Sequence, residues 1–403
     1  MTNHNKAALL AATSLTVFTT GAALAEEWDV RVGGYYNAMV AYASNDPATG
    51  NGLDDENGLE HAHQGEFYVR PTITLDNGIQ ISARMDFEIN EDGLEADEPD
   101  LTISGSFGSL VLGSNEDADM GRLIYSAPNA AIVSLNDADT PDYIPWYPGS
   151  GGSLFRNDLA INAFNALPVQ GLQSGVNRAN PFNFGAAILS STNPGNDARS
   201  EGRRISYFTP RFAGFQLGVS YANTDEASPN PLRDCSANSC NLFDIGASYA
   251  GNFGGVDLAA GLGYSWADTN DPNADPTLVR GSLSIGFGGY TIGGSFAEQN
   301  GSSGGEYDGN SFSIGANYTE GPWSFGINYF NGRMTDHLHI GFGPRVELSS
   351  AFIDVSYQAN ERTNLSVFLG HVSYREDVGD GGFGTPGDNL DSFVIGTGIG
   401  LSF

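Results

Sequence analysis

From Ile79 the chain alternates without a break, with Ile79, Ile81, Ala83, Met85, Phe87 and Ile89 on one parity and Gln80, Ser82, Arg84, Asp86, Glu88 and Asn90 on the other. A period of two puts these sets on opposite faces of a strand, so one face seeks an apolar phase and the other water. The C-terminal stretch repeats the pattern: Phe393, Ile395, Thr397, Ile399, Leu401 and Phe403 stand opposite Ser392, Val394, Gly396, Gly398, Gly400 and Ser402. The same reading predicts sixteen strands, among them 28–43, 65–76, 78–90, 99–105, 109–115, 203–212 and 390–403.

The connections alternate too. Seven are tight turns of Gly, Asn and Pro chemistry, such as Asp76-Asn77-Gly78, Ala213-Gly214 and Gly288-Gly289, and eight are long and polar. A soluble sandwich has no need of short turns at one end and long acidic loops at the other. A barrel crossing a membrane does, and hydrocarbon, which cannot satisfy an open edge, forces the sheet to close. The expected fold is all-β: a 16-stranded antiparallel transmembrane β-barrel with its third long loop folded inward.

Aromatic placement agrees with two membrane boundaries. Trp28, Tyr249, Tyr290, Tyr318, Trp323, Tyr357 and Phe403 fall near the turn end, and Tyr42, Tyr221, Trp266 and Tyr329 near the loop end, all on the apolar parity of their strands. Beyond the first 25 residues no run of 18 apolar residues occurs, so any spanning is by strands.

Those first 25 residues are a separate object. Lys6 precedes a mildly apolar run from Ala7 to Leu24, which ends in Ala23-Leu24-Ala25, the signature of a cleaved secretory signal. The mature chain is then 26–403. Lys6 is the single lysine, so this part carries 16 arginines against 48 acids, a formal charge of −32. Such a surface repels nucleic acid and draws cations. Cys235 and Cys240 share a polar segment, where export favours a loop disulfide worth about 2 kcal/mol. A metal or redox site is the alternative for that pair.

The connection 116–202 is far longer than a hairpin needs, and its apolar content, including Ile124, Trp146 and Phe155, argues that it packs on something. A sixteen-strand tube is too wide for wall side chains to fill, so this loop is expected to fold in and set the narrowest point. It brings Glu116, Asp117, Asp119, Asp137, Asp139 and Asp142. Parity turns Arg31, Arg70, Arg84, Asp86 and Glu88 inward from the first three strands, with Arg70 and Arg84 near mid-height. Acids facing arginines across a narrow passage set up a transverse field that sorts ions and dipoles.

The segments Asn77-Gly-Ile-Gln-Ile-Ser-Ala-Arg-Met-Asp-Phe-Glu88, Ser104-Gly-Ser-Phe-Gly-Ser-Leu-Val-Leu-Gly113, Arg204 to Tyr221 and the final strand ending at Phe403 together resemble the Gram-negative general porins, especially the long-loop porins of alphaproteobacteria. The resemblance implies an outer-membrane homotrimer with three separate pores and the third loop as constriction. It also implies that Ile399, Leu401 and Phe403 form the signal read by the barrel assembly machinery, and that Arg70 and Arg84 belong to a basic wall cluster. Ser114 departs from it, since many relatives carry arginine there, and this departure makes a preference for cations the expectation.

Two other functions compete with general diffusion. A substrate-selective channel would use inward aromatics, for which Tyr68, Phe208, Phe330, Phe352 and Phe368 are the candidates. An outer-membrane enzyme would need a nucleophile, base and acid. The chain has no Gly-x-Ser-x-Gly, and after the signal its histidines are His61, His63, His337 and His339, read as loop residues, and His371 near a strand end. The pairs His61-x-His63 and His337-x-His339 could grip a metal. No cofactor is required by this reading; the acid runs Asp54-Asp55-Glu56 and Glu95 to Glu98 are candidates for structural Ca2+.

Overall fold

The computed structural model describes residues 28–47, 57–90, 93–113, 123, 204–224, 240–268, 277–300, 309–335, 345–376 and 390–403. They form β1 (Asp29–Pro47), β2 (Asn57–Thr74), β3 (Gln80–Asn90), β4 (Gly93–Gly105), β5 (Gly108–Gly113), β6 (Arg204–Phe208), β7 (Phe215–Thr224) and β8 (Cys240–Phe253). The second half holds β9 (Val256–Asp268), β10 (Thr277–Phe287), β11 (Tyr290–Asn300), β12 (Gly309–Glu320), β13 (Trp323–Thr335), β14 (Arg345–Asn360), β15 (Thr363–Glu376) and β16 (Leu390–Ser402). Each strand pairs antiparallel with the next, and β1 pairs with β16, so the barrel has no free edge.

Closure runs from Tyr35 opposite Ser402 to Pro47 opposite Leu390. At its turn end the Gly34 N–H donates to the Phe403 carbonyl at 3.1 Å, and the Phe403 N–H returns a bond to Gly34 at 3.0 Å. A side chain at Gly34 would run into the Phe403 ring, so the glycine makes room for the last residue.

The outer face is apolar, as parity predicts. Along β16, Phe393, Ile395, Ile399 and Leu401 are exposed, while Val394, Gly396, Gly398 and Gly400 between them are buried. Exposure of so many large apolar side chains would be a liability in water and is what a hydrocarbon-facing wall requires. Rings meet across strands at both ends of this band. At the turn end Tyr290 lies 4.4 Å from Tyr318 and Trp323 4.7 Å from Tyr357; at the loop end Phe243 stacks on Trp266 at 5.2 Å and meets Tyr221 at a tilt at 4.9 Å.

Several strand boundaries differ from expectation, among them the ends of β1 and β13, and three of the differences bear on candidate residues or break the ladder. β2 starts at Asn57, not 65, which places His61 and His63 in a strand; the polar outward side chains had concealed the alternation. β4 starts at Gly93, not 99, so the acid run Glu95 to Glu98 is paired strand and not a free loop. There Glu95 stands opposite Glu88 and Asp97 opposite Asp86. The register slips between Arg84 and Asp86 because an extra residue on β4 falls next to Pro99, which has no N–H to give the ladder. β6 ends at Phe208, not 212: Pro210 stops the ladder, and Phe212 keeps only an isolated bridge to Phe215.

The candidate constriction loop, with Ser114, lies outside the described residues except for Leu123. Leu123 is 1% exposed and joins Val111 of β5 and Phe208 of β6, which face inward. Cys235, His337, His339 and Asp54 to Glu56 also lie outside the described residues, as does the side chain of Cys240.

Candidate functional site: an arginine row on the inner wall

Register sets the site. Arg31 of β1 is the direct cross-strand partner of Arg70 of β2. Arg84 of β3 is opposite Asp100 of β4, Asp100 is opposite Gly113 of β5, and Gly113 is opposite Arg204 of β6. Charged side chains therefore follow one another around the inner wall on adjoining strands. Arg70 lies in the turn-side part of β2, below the mid-height expected of it, because β2 extends further toward the loops than the sequence suggested.

Asp86 joins two of these arginines. Its side chain is 1% exposed, it accepts from Arg70 Nη2 at 3.3 Å, and it also accepts from Arg84 Nε. The Arg70 guanidinium lies 4.0 Å from the centre of the Tyr68 ring. That ring fills the space a side chain at Gly33 would take. Arg70 is thus held from two directions while its side chain remains 40% exposed. Arg31, 79% exposed, bonds Asp29 at 3.3 Å. Thr102 donates to Asp100 at 3.1 Å. Between β1 and β4 these groups surround a polar niche of about 430 Å3 lined by Arg31, Arg70, Arg84, Asp29, Asp100 and hydroxyls.

A second cluster escaped the sequence reading. Asp244 of β8 accepts from Arg204 Nη1 at 2.6 Å and from Ser220 Oγ at 2.8 Å, and Arg280 of β10 reaches its other oxygen at 4.0 Å. Arg280 also bonds Ser265 at 3.3 Å. All three charged side chains are buried. The signal was present in strand parity: Asp244 sits between outward Phe243 and Ile245, and Arg204 is followed by outward Ile205.

Of the candidates named from sequence, Arg31, Arg70, Arg84 and Asp86 are brought together. Glu88 is in β3, its side chain not described. Glu116, Asp117, Asp119, Asp137, Asp139 and Asp142 lie outside the described residues. Ile399, Leu401 and Phe403 face outward on the closing strand. Of the candidates for an aromatic slide, Phe208, Phe352 and Phe368 are buried, the last two lying over Gly370 and Gly396 where side chains are missing, Tyr68 is half-buried beside Arg70, and the side chain of Phe330 is not described. His371 bonds Asp391 at 3.4 Å beside the Phe393 ring on the outer face, away from the lumen. Among the described residues no three His, Cys, Asp or Glu side chains converge as a metal site.

Similarity to known proteins follows the same lines. A family model described as Gram-negative porin matches residues 11–377. An anion-selective porin from Comamonas acidovorans superimposes with a TM-score of 0.55 at 17% identity, over 94% of this chain and 100% of its own. A loop-deletion mutant of OmpT, an outer membrane protein of Vibrio cholerae, gives 0.53 at 13% identity over 93% and 99%. The trimer form of OmpT gives 0.50 at 12% identity over 93% and 99%. No curated protein matches the chain. At these identities the structures speak for the fold, and the family match extends across most of the sequence. The chain therefore belongs to the family of Gram-negative porins, proteins of the bacterial outer membrane.

Proposed function

We propose that the protein is a passive diffusion channel for small hydrophilic solutes and ions, with no turnover and no bound energy source. The observation that carries this reading is the division of the wall: apolar side chains outside, and inside a row of charged and hydroxyl groups with Arg31 and Arg70 open to the lumen. Such a wall replaces part of a solute's hydration without holding it tightly. Burial of Phe208, Phe352 and Phe368 supports general diffusion over a dedicated aromatic slide, and the family match supports a channel over an enzyme.

Entry of the third loop into the bore is part of the proposal, supported by Leu123 seated on Val111 and Phe208. Trimer formation is supported by the resemblance and by a structural neighbour that forms trimers. Recognition of Phe403 by the assembly machinery rests on the resemblance and on its place in the closing strand. The cation preference expected from Ser114 gains nothing from the described wall, where guanidinium groups stand open beside carboxylates. We infer a weak preference set by their balance. Reversal potentials in a planar bilayer under a salt gradient test this. Arg84→Ala removes a positive charge and leaves Asp86 with Arg70 as its remaining arginine partner, so the reversal potential moves toward cation selectivity; an unchanged value would show that this wall does not line the ion path.

A further inference from the structure

We propose that the niche between β1 and β4 is a dwell site for small zwitterions, solutes that carry a carboxylate and an ammonium on one carbon as free amino acids do. The inference rests on the diffusion-channel reading and adds a solute class to it.

Charge balance makes the choice. Arg31, Arg70 and Arg84 meet Asp29, Asp100 and the underlying Asp86, three guanidiniums against three carboxylates. A simple anion drawn to the arginines is held off by Asp29 and Asp100, and a simple cation meets the reverse. A molecule with both signs satisfies both sets at once. Its size is also matched, since about 430 Å3 lies at the low end of ligand cavities and leaves an amino-acid-sized solute room for water.

The direct opposition of Arg31 and Arg70 points the same way. Like charges on cross-strand partners are unfavourable, and that cost is offset when a carboxylate arrives between them. Arg70 is already fixed by Asp86 and the Tyr68 ring, so receiving the carboxylate requires little ordering. The rest of the lining is hydroxyl and amide side chains, Thr72, Thr74, Gln80, Ser82 and Thr102, which favours small polar solutes. Both Arg31 and Asp29 are well exposed, so each contact is weak and the solute leaves as readily as it arrives.

Influx of alanine, lactamide and lactate into proteoliposomes carrying the full chain tests the idea, because the three have nearly one shape and are zwitterionic, neutral and anionic. At low concentration alanine is expected to enter roughly two- to fivefold faster than lactamide, with a rate that levels off as concentration rises. Arg31→Gln and Asp29→Asn each bring the alanine-to-lactamide ratio to about one, whereas Glu361→Gln on a distant turn keeps the wild-type ratio. Equal alanine and lactamide influx in the wild type overturns the proposal, and so does lactate running ahead of alanine. Failure of lactamide to enter at all sinks the channel reading first and the niche with it. Should a variant lose its heat-resistant gel mobility, ionic current through the wild type decides instead: alanine, but not lactamide, must reduce it in a saturable way, and no such block counts against the site.

Discussion

Asp244 is a single carboxylate shared by two buried arginines. Its bonds to Arg204 and Ser220 and its approach to Arg280 mean that Asp244→Ala takes the common counter-charge from both guanidiniums while leaving them out of water. Removing one member of a buried charge cluster costs about 3–5 kcal/mol, so the variant should unfold at markedly lower temperature in detergent, followed by loss of the compact gel band. A melting temperature within error of wild type would mean that the cluster is not held as described. At this scale the sequence was half legible. Parity alone turned Arg31, Arg70, Arg84 and Asp86 inward, because a guanidinium facing hydrocarbon is too costly. It said nothing of Arg204 meeting Asp244, since residues 40 apart become neighbours only once β7 intervenes with known register.

Turns and register decide the strands. Gly108, which opens β5, has φ +108, and a Cβ there would run into the carbonyl of Phe208 on β6. Gly108→Ala is therefore strained by conformation and by contact together; the conformational part alone is about 1–3 kcal/mol. Reduced refolding yield from urea into detergent micelles is the expected readout, with Gly254→Ala, whose Cβ would meet open space, as the milder comparison. All sixteen strands were legible in the alternation, and the tight turns were legible in their Gly, Asn and Pro content. The ends of β2, β4 and β6 were not. A strand that rises beyond the hydrocarbon no longer needs an apolar face, so His61 and Glu95 gave no sign of being paired, and Pro210 broke a ladder that the surrounding alternation seemed to continue.

For the molecule as a whole, fixed charges on the wall act through solvent and are screened by it. The Debye length falls from about 10 Å at 0.1 M salt to about 3 Å at 1 M. Any ion preference, and the shift produced by Arg84→Ala, should therefore be pronounced at 0.1 M and shrink several-fold at 1 M in the same bilayer. A shift that persists undiminished would place the selective step in a dehydrated contact and not in a solvated field. Composition announced an acidic protein but could not announce this local balance, because it is strand parity and register that gather Arg31, Arg70 and Arg84 on the lumen side of β1 to β3.

Closure by pairing β1 with β16 also governs manufacture. The first strand made must wait for the last, so the cylinder cannot be completed while the chain is still emerging, and the polypeptide has to be kept unfolded until its final residues are available. A product stopped one strand short would leave β1 and β15 with unanswered peptide groups, and the cell could dispose of it before any leak was opened in its envelope.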